Sequence, residues 1–538
     1  MKKVILIAGF LALGIFQSCQ NDDAILYSAE SGKVILNENT AELSSRLDYS
    51  NSGVINLTGS SLLGRGIMDG SSADFPMSLL AEVIPPSYQG VQLTASHVDV
   101  KDNLVYVSYN KQGDEYLGGI DVIDVSEPNN PVLIVSAILP NIDITSVQYD
   151  GGKLYIAGAA DPDFTNEVST PAFVAKMTLN GGLLTNDYAL TSLPSYVTTG
   201  LTVTSANYYA VTGSTGVVAK LNKNTNQIET TIDVADLRAI GAIDNKIVVL
   251  SGTNGVKVLN ASTLSVLSSF LTSNDVAGAK RTIDFQGTNV LVAEGFNGLK
   301  VYNTTSGSLV QSLAVPTDIE GVNPDDLVTN AVSVQGDFVY AANGAAGVTV
   351  YKKTQNLLVE MGSIDLDGSA NYVKSVGDYI FVATGTGGLK IIKKLTVASI
   401  NCASFPTYNG GAWLNVNSNE TLNYQGSAAL QGINVNQNLT FCGSLSVSQG
   451  VNINSNGVFT MKGSLAQGQY GSNSTNFNVN GTFKVEGSVV IYGNLILNSN
   501  AKLEFLGSGS SITIYGNVTK NSNVTITGNY TDTFNKLN

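Results

Sequence analysis

A glycine-anchored unit that returns about every forty residues limits this chain more than any other feature, because repeats of that length fold by stacking copies of one small motif. Each unit contains an apolar strand, a turn with glycine and a second apolar strand, as in VLVAEGFNGLKVY from Val290 to Tyr302. Five copies align on Gly216, Gly255, Gly298, Gly347 and Gly388, at spacings of 39, 43, 49 and 41 residues. A further short strand precedes each pair, as in AVSVQGDFVYAAN from Ala331 to Asn343, and a fourth follows it, as in SLVQSLAV from Ser308 to Val315. Four consecutive strands make one propeller blade. Two less regular units, Ser96 to Leu139 and Thr145 to Leu193, bring the number to seven; the second carries an insertion around Asp161 to Thr170.

The seventh unit ends after its third strand, at Ile392. The segment Ser78 to Ile84 (SLLAEVI) reads like the missing outer strand and is expected to close the ring. Closure removes open sheet edges that would otherwise template aggregation. The run GGIDVIDVSEPNNP from Gly118 to Pro131 resembles the signature of LVIVD-repeat proteins, a β-propeller family of bacterial surface and secreted proteins. The resemblance spans roughly residues 77 to 394 and implies the fold; it implies little about activity. Only one unit carries the Asp-Val-Ser-x-Pro stretch. Elsewhere turns such as Asn222 to Asn226 and Asn303 to Ser306 replace it.

From about Thr396 the composition turns to Asn, Ser and Gly, and residues 398 to 538 hold 9 charged residues against 61 in the preceding 397. Such a shift marks a domain boundary. A Gly-Ser pair recurs at Gly426, Gly443, Gly463, Gly487 and Gly507, with Gly528-Asn529 as a sixth copy, at spacings of 17, 20, 24, 20 and 21. Short alternating strands lie between: VNIN at Val451, FNVN at Phe477, LILN at Leu495 and ITIY at Ile512. A period near 20 with asparagine-rich corners predicts a parallel β-solenoid whose stacked side chains form polar ladders. The fold class expected is therefore all-β: a seven-bladed β-propeller followed by a parallel β-solenoid. Cys402 and Cys442 are 40 residues apart, about two coils. Consecutive coils lie about 4.8 Å apart and a disulfide needs Cα atoms within about 7 Å, so the two pair only if the segment around Cys402 folds back as a cap. That segment, with Pro406 and the lone tryptophan, Trp413, reads as a cap; the pairing stays open at this stage.

The chain opens MKKVILIAGFLALGIFQSC, two lysines ahead of an apolar run from Val4 to Phe16. Thirteen apolar residues are too few to span a bilayer, which takes roughly 20. Ser18-Cys19 resembles a lipobox, which implies a cleaved leader over residues 1–18 and a lipid on Cys19; the alternative is an ordinary secretory leader with an incidental cysteine. Gln20-Asn21-Asp22-Asp23 resembles the surface-export signals on lipoproteins of the Bacteroidetes. These resemblances imply an outer-membrane, lipid-anchored, surface-exposed protein. Residues 19–76 are expected to form a lipidated tail with a stalk or cap, 77–396 the propeller and 397–538 the solenoid. Loss of the two leader lysines takes the formal charge from −14 to −16, with no basic cluster, so nucleic acid is a poor candidate partner.

Catalytic constellations that rest on histidine are excluded as clusters, since the chain has one, His97, expected on an inner strand facing the channel. No G-x-S-x-G elbow, P-loop or Cys/His pairing occurs. Carboxylates remain: Asp121 with Asp124, Asp161-Pro-Asp163, Asp325-Asp326, and Asp365 with Asp367. Each reads first as a turn residue bonding its own backbone, and neither Asp161/Asp163 nor Asp365/Asp367 matches a calcium loop. Among 23 tyrosines, Tyr106, Tyr109 and Tyr116 cluster in the first unit, where tyrosine serves as a strand former as readily as a sugar platform. The expectation is a non-enzymatic binding or adhesion scaffold for an extracellular glycan or protein, with no cofactor, no metal and no catalytic residue. The competing expectation is an enzyme or accessory subunit acting on extracellular polysaccharide through carboxylates of the propeller or solenoid.

Overall fold

The computed structural model describes residues 34–58 and 75–538, apart from 114, 165–167, 274–278, 318, 320, 397–401, 403 and 473. Seven antiparallel sheets form a closed ring in which each innermost strand abuts the next, and the innermost strand of blade 7, Tyr372–Val376, returns to that of blade 1, Thr94–Lys101. The strands fold as the repeat dictates. Blade 5 is representative: Ile283–Gln286, Asn289–Ala293, Leu299–Asn303 and Leu309–Leu313 pair in sequence order. Gly298 sits at φ +77°, and a Cβ there would overlap the backbone around Leu313, which is why glycine marks the turn in unit after unit. Aliphatic side chains of the two middle strands fill the spaces between blades, as Val248, Val258, Val290 and Val292 do between blades 4 and 5.

Blade 7 takes its fourth strand from the N-terminal side: Met77–Val83 pairs with Leu389–Lys394, with Lys390 and Glu82 forming a 2.8 Å ion pair across the joint. The segment before it is neither a stalk nor a separate cap over residues 34–58. It lies along the outside of the ring, adding Ile35–Asn37 to the outer strand of blade 1 and Leu47–Asp48 and Gly53–Ile55 to that of blade 7. The physical reason is edge satisfaction. Leu80, beneath these strands, is 1% exposed, whereas Val266 and Leu309, on the outer strands of blades 4 and 5, are each 54% exposed. A short helix, Thr40–Ser45, capped by the Asn39 side chain, turns the segment, and Arg46 just beyond it reaches into blade 1.

Residues 413–532 build a parallel β-solenoid of six turns with two sheets. One sheet stacks Trp413–Val416, Gly432–Val435, Val451–Ile453, Asn476–Val479, Asn494–Leu497 and Val518–Lys520. Trp413 therefore opens the first rung and is not part of a cap, because Leu414 and Val416 alternate inward into the same core as the rungs below. The other sheet stacks ten-residue strands in which Gly426, Gly443, Gly463 and Gly487 lie in exact register. These glycines sit inside the strands with φ values of +104°, +147°, +126° and +133°. Phe441, Phe459, Phe477 and Phe483 fill the interior, each such burial contributing about 1.5–3 kcal/mol. Outside, Asn415, Asn434, Asn452 and Asn478 form a ladder of amide bonds of 2.8, 2.9 and 2.9 Å. Pro406 and Thr407 lie over the first long strand, where Gln425 donates to the Pro406 carbonyl at 3.0 Å.

The solenoid is docked sideways onto the seam between blades 7 and 1. Tyr492 donates to Ser78 at 2.9 Å, Tyr515 donates to the Asn129 carbonyl, and Val54 donates its backbone N–H to Gly468 at 2.9 Å. Ala466, Val490, Tyr492 and Tyr515 share one core with Leu43, Val54, Leu80 and Val83. The Asp-Val-Ser-x-Pro turn kept only in blade 1 is thus a docking turn. Pro128 and Asn129 accept from Tyr379, Lys393 and Tyr515, all at this junction.

Candidate site in the propeller channel

The innermost strand of every blade carries one residue at the same register position, flanked by apolar neighbours except where Ser375 follows Lys374: Asp99, Gln148, Thr202, Gly241, Asp284, Ser333 and Lys374. Innermost strands of adjacent blades do not pair through their backbones, so buried N–H groups there need other acceptors. Four of the seven supply one to the following blade. Asp99 accepts from the N–H of Tyr149 at 2.7 Å, Gln148 from Val203 at 3.0 Å, Asp284 from Val334 at 2.8 Å and Ser333 from Ser375 at 2.9 Å. Lys374 breaks the pattern because an ammonium accepts nothing. It has no hydrogen-bond or ion-pair partner among the described residues, while Asp99 and Asp284 both feel its charge.

A second layer crosses the channel at the starts of the inner strands. Lys280 reaches from blade 5 to donate to the carbonyls of Ser96 and, at 3.2 Å, Thr145, and it lies 5.0 Å from the centre of the Tyr372 ring. Burial pushes the Lys280 ammonium down to about 7. The His97 and Tyr372 rings lie 4.1 Å apart. The His97 Nδ1 atom accepts from the Val147 N–H at 3.4 Å, and Nε2 lies 3.3 Å from the Ser146 hydroxyl, which places the single proton of a neutral ring on Nε2. Burial, with Lys280 and Lys374 nearby, holds the imidazole well below its usual value. Burial raises Asp99 and Asp284, countered by Lys374 and by the backbone donors. Asp284 has both oxygens engaged, the second by Phe285 at 2.8 Å.

A cavity of about 280 Å³ has a mainly polar lining that includes His97, Asp99, Gln148, Asp284, Ser333 and Lys374, with Leu201, Ile240, Ala242 and Val332 among its apolar members. A larger cavity, about 380 Å³, lies at the junction of propeller and solenoid. Several of its polar groups bind within the junction: Lys393, pushed down to about 8 by burial, donates to Pro128 and Asn129, and Thr396 donates to Asp378 at 2.6 Å.

The residues singled out in the sequence are scattered. Cys19 and Gln20, Asn21, Asp22 and Asp23 lie outside the described residues. Cys402 and Cys442 are joined, Cα to Cα 6.2 Å, with Phe405 and Pro406 folded back over Gln425 of the first coil. Asp121 is fully buried against Arg46, Asp124 caps its own turn at Ser126, and Asp161 accepts from Asp163 at 2.9 Å. Asp325 and Asp326 sit in a short 3-10 helix, whereas Asp365 and Asp367 border a 250 Å³ pocket beside Glu82 and Tyr470. Tyr106 and Tyr109 are core residues. Only His97 belongs to the channel. The other channel residues went unread because each is a single polar letter in an apolar strand; aligning the first strands of the seven units would have put them in one column.

No group of three or more His, Cys, Asp or Glu positioned to hold a metal occurs among the described residues, and no helix there is long and apolar enough to cross a membrane. No family model and no curated protein matches the chain. Solved structures do. The WD40 β-propeller domain of Doa1 aligns at 10% identity and a TM-score of 0.45, covering 59% of this chain and 97% of that one. The RRP9 WD40 repeats align at 12% and 0.45 over 60% and 99%, and the computationally designed Ika8 protein at 12% and 0.38 over 58% and 98%. Likeness at this level bears on the fold alone, and the propeller assignment rests on the strand topology.

Proposed function

We propose that the chain is a lipid-anchored envelope lipoprotein of the LVIVD-repeat type, held at the outer membrane through Cys19, displayed at the cell surface, and acting as a non-enzymatic binding scaffold for an extracellular glycan or protein. The observation that carries the reading is the way the channel's ionisable groups are used. Asp99, Gln148, Asp284 and Ser333 bind backbone N–H groups of the next blade, and Lys280 ties three blades together. Although burial raises Asp284, both of its oxygens are taken by backbone N–H groups, which leaves neither one free to exchange a proton with a ligand. The docked solenoid supports the same reading, since two repeat domains locked at one seam give a rigid extended body suited to presenting a surface. Anchoring requires more than one acyl chain, which lipidation of an N-terminal cysteine in bacteria supplies.

Three measurements test this. Metabolic labelling with a radioactive or alkynyl fatty acid should mark the wild type and not Cys19→Ala. Protease applied to intact cells should remove the protein, and protection until the outer membrane is breached would overturn surface display. Incubation of the mature chain with polysaccharides and matrix proteins should give saturable binding without new reducing ends or unsaturated sugars. Either product would replace the scaffold with the enzyme reading.

A further inference from the structure

Building on the scaffold reading, we propose that the channel cavity is a binding site for one neutral sugar ring, a hexose or N-acetylhexosamine, presented at the end or along the edge of a glycan. Three features converge on that class. The first is charge: Asp99 and Asp284 stand against Lys374, with Lys280 in the layer beside them at Tyr372, so the two signs nearly balance, which suits a neutral ligand better than an anion or a metal cation. The second is hydrogen-bond capacity. Lys374 offers three N–H donors without a partner among the described residues, and the Asp99 carboxylate, which accepts from the N–H groups of Tyr149 and Val100, has lone pairs left for one more donor. Gln148 keeps its NH2 beyond the bond to Val203, and Thr202 and Ser333 add hydroxyls. A sugar hydroxyl donates and accepts at once, so it is the common group that bridges a carboxylate and an ammonium.

The third feature is shape. The lining is mainly polar, with a smaller apolar share to which Leu201, Ile240 and Ala242 of blades 3 and 4 contribute. At Gly241 the ring position has no side chain, because the Phe285 ring of blade 5 stands where a Cβ would go. A pyranose has a similar balance, many hydroxyls and a smaller C–H surface. The 280 Å³ cavity corresponds to roughly nine water volumes, the scale of one sugar ring of about twelve heavy atoms and not of an oligosaccharide. The junction cavity, though larger, lacks this combination, since its lysine and tyrosine already bind Pro128 and Asn129.

The test uses the mature chain from residue 19 with Cys19→Ser, titrated calorimetrically with glucose, galactose, mannose, N-acetylglucosamine and glucuronate. One-site saturable binding of at least one neutral sugar, with glucuronate weaker, is expected. Lys374→Met should weaken it roughly ten- to a hundredfold, and because Asp99 and Asp284 also lose a compensating charge, affinity is compared at a temperature where circular dichroism shows both proteins folded. Asp99→Asn keeps an acceptor for Tyr149 but removes a charge, so it should narrow the gap between neutral sugar and glucuronate. Failure of all four neutral sugars to bind, or equal binding by wild type and Lys374→Met, overturns the channel site. Retained capture of intact polysaccharide or matrix protein in that case would leave the scaffold reading standing, and only loss of both would remove it.

Discussion

Lys280 shows what a single residue contributes to the ring. Its ammonium is pushed from 10.5 to about 7, because burial removes water and the two carbonyls and the Tyr372 face only partly replace it. Above that value the native state has released a proton that the unfolded chain keeps until about 10.5, so unfolded chains bind more protons and stability rises with pH. Lys393, at about 8, adds a rise of the same sign that begins one unit higher. His97 acts elsewhere, since its value lies well below 6.5 and it destabilises only on acidification through the unfolded value. Asp143, raised to about 6, makes its change between about 3.8 and 6. The predicted outcome is a denaturation midpoint that climbs from pH 7 to pH 9 in wild type. In Lys280→Met the climb between pH 7 and 8 should largely vanish, and the climb above pH 8 should fall to the smaller slope that Lys393 supplies. A Lys280→Met profile parallel to wild type would show that another group drives the rise.

At the scale of elements, the solenoid strands show how far a period can be read and where reading stops. The spacing of Gly-Ser pairs announced parallel coils, and the Asn415 to Asn478 ladder is the polar stacking such coils permit. The glycines of these pairs lie in the middle of ten-residue strands. Gly487 has φ +133°, and a Cβ on it would overlap the carbonyl oxygen of Gly463 one coil away. Its role is a close approach between coils, which is invisible in one coil's sequence. Gly487→Ala should therefore cost about 1–3 kcal/mol for the backbone alone and more for the overlap. Gly377→Ala, at φ +60° with open space around it, should cost about 1–2 kcal/mol. Equal losses in urea unfolding would show that backbone conformation, and not coil stacking, selects these glycines.

The whole molecule is organised around the seam where the ring closes. Inside, Lys374 offers no acceptor to blade 1; outside, the segment 34–58 straddles blades 1 and 7 and the solenoid packs over both. Arg46 pins this clamp, donating to both oxygens of fully buried Asp121, to Ser136 at 3.0 Å and to the Ile84 carbonyl at 2.9 Å. Removing one partner of such a pair strands a buried charge. Arg46→Met is thus expected to cost about 3–5 kcal/mol, with much of it regained in Arg46→Met/Asp121→Leu. A loss under about 1 kcal/mol for Arg46→Met in equilibrium unfolding would mean that strand pairing alone holds the seam.

What the amino-acid order determined by itself was everything that repeats: seven four-strand units, a closing strand borrowed from the N-terminal side, and coils of about twenty residues. A periodic signal is written many times over and survives noise in any one copy. The tertiary structure alone decided what occurs once. It chose Arg46 for Asp121, bridged Cys402 to Cys442, set the solenoid against the seam, and brought Asp99, Asp284 and Lys374 around one cavity from positions up to 275 residues apart. Those contacts depend on the curvature with which the blades close, and no local pattern encodes where two distant strands will meet.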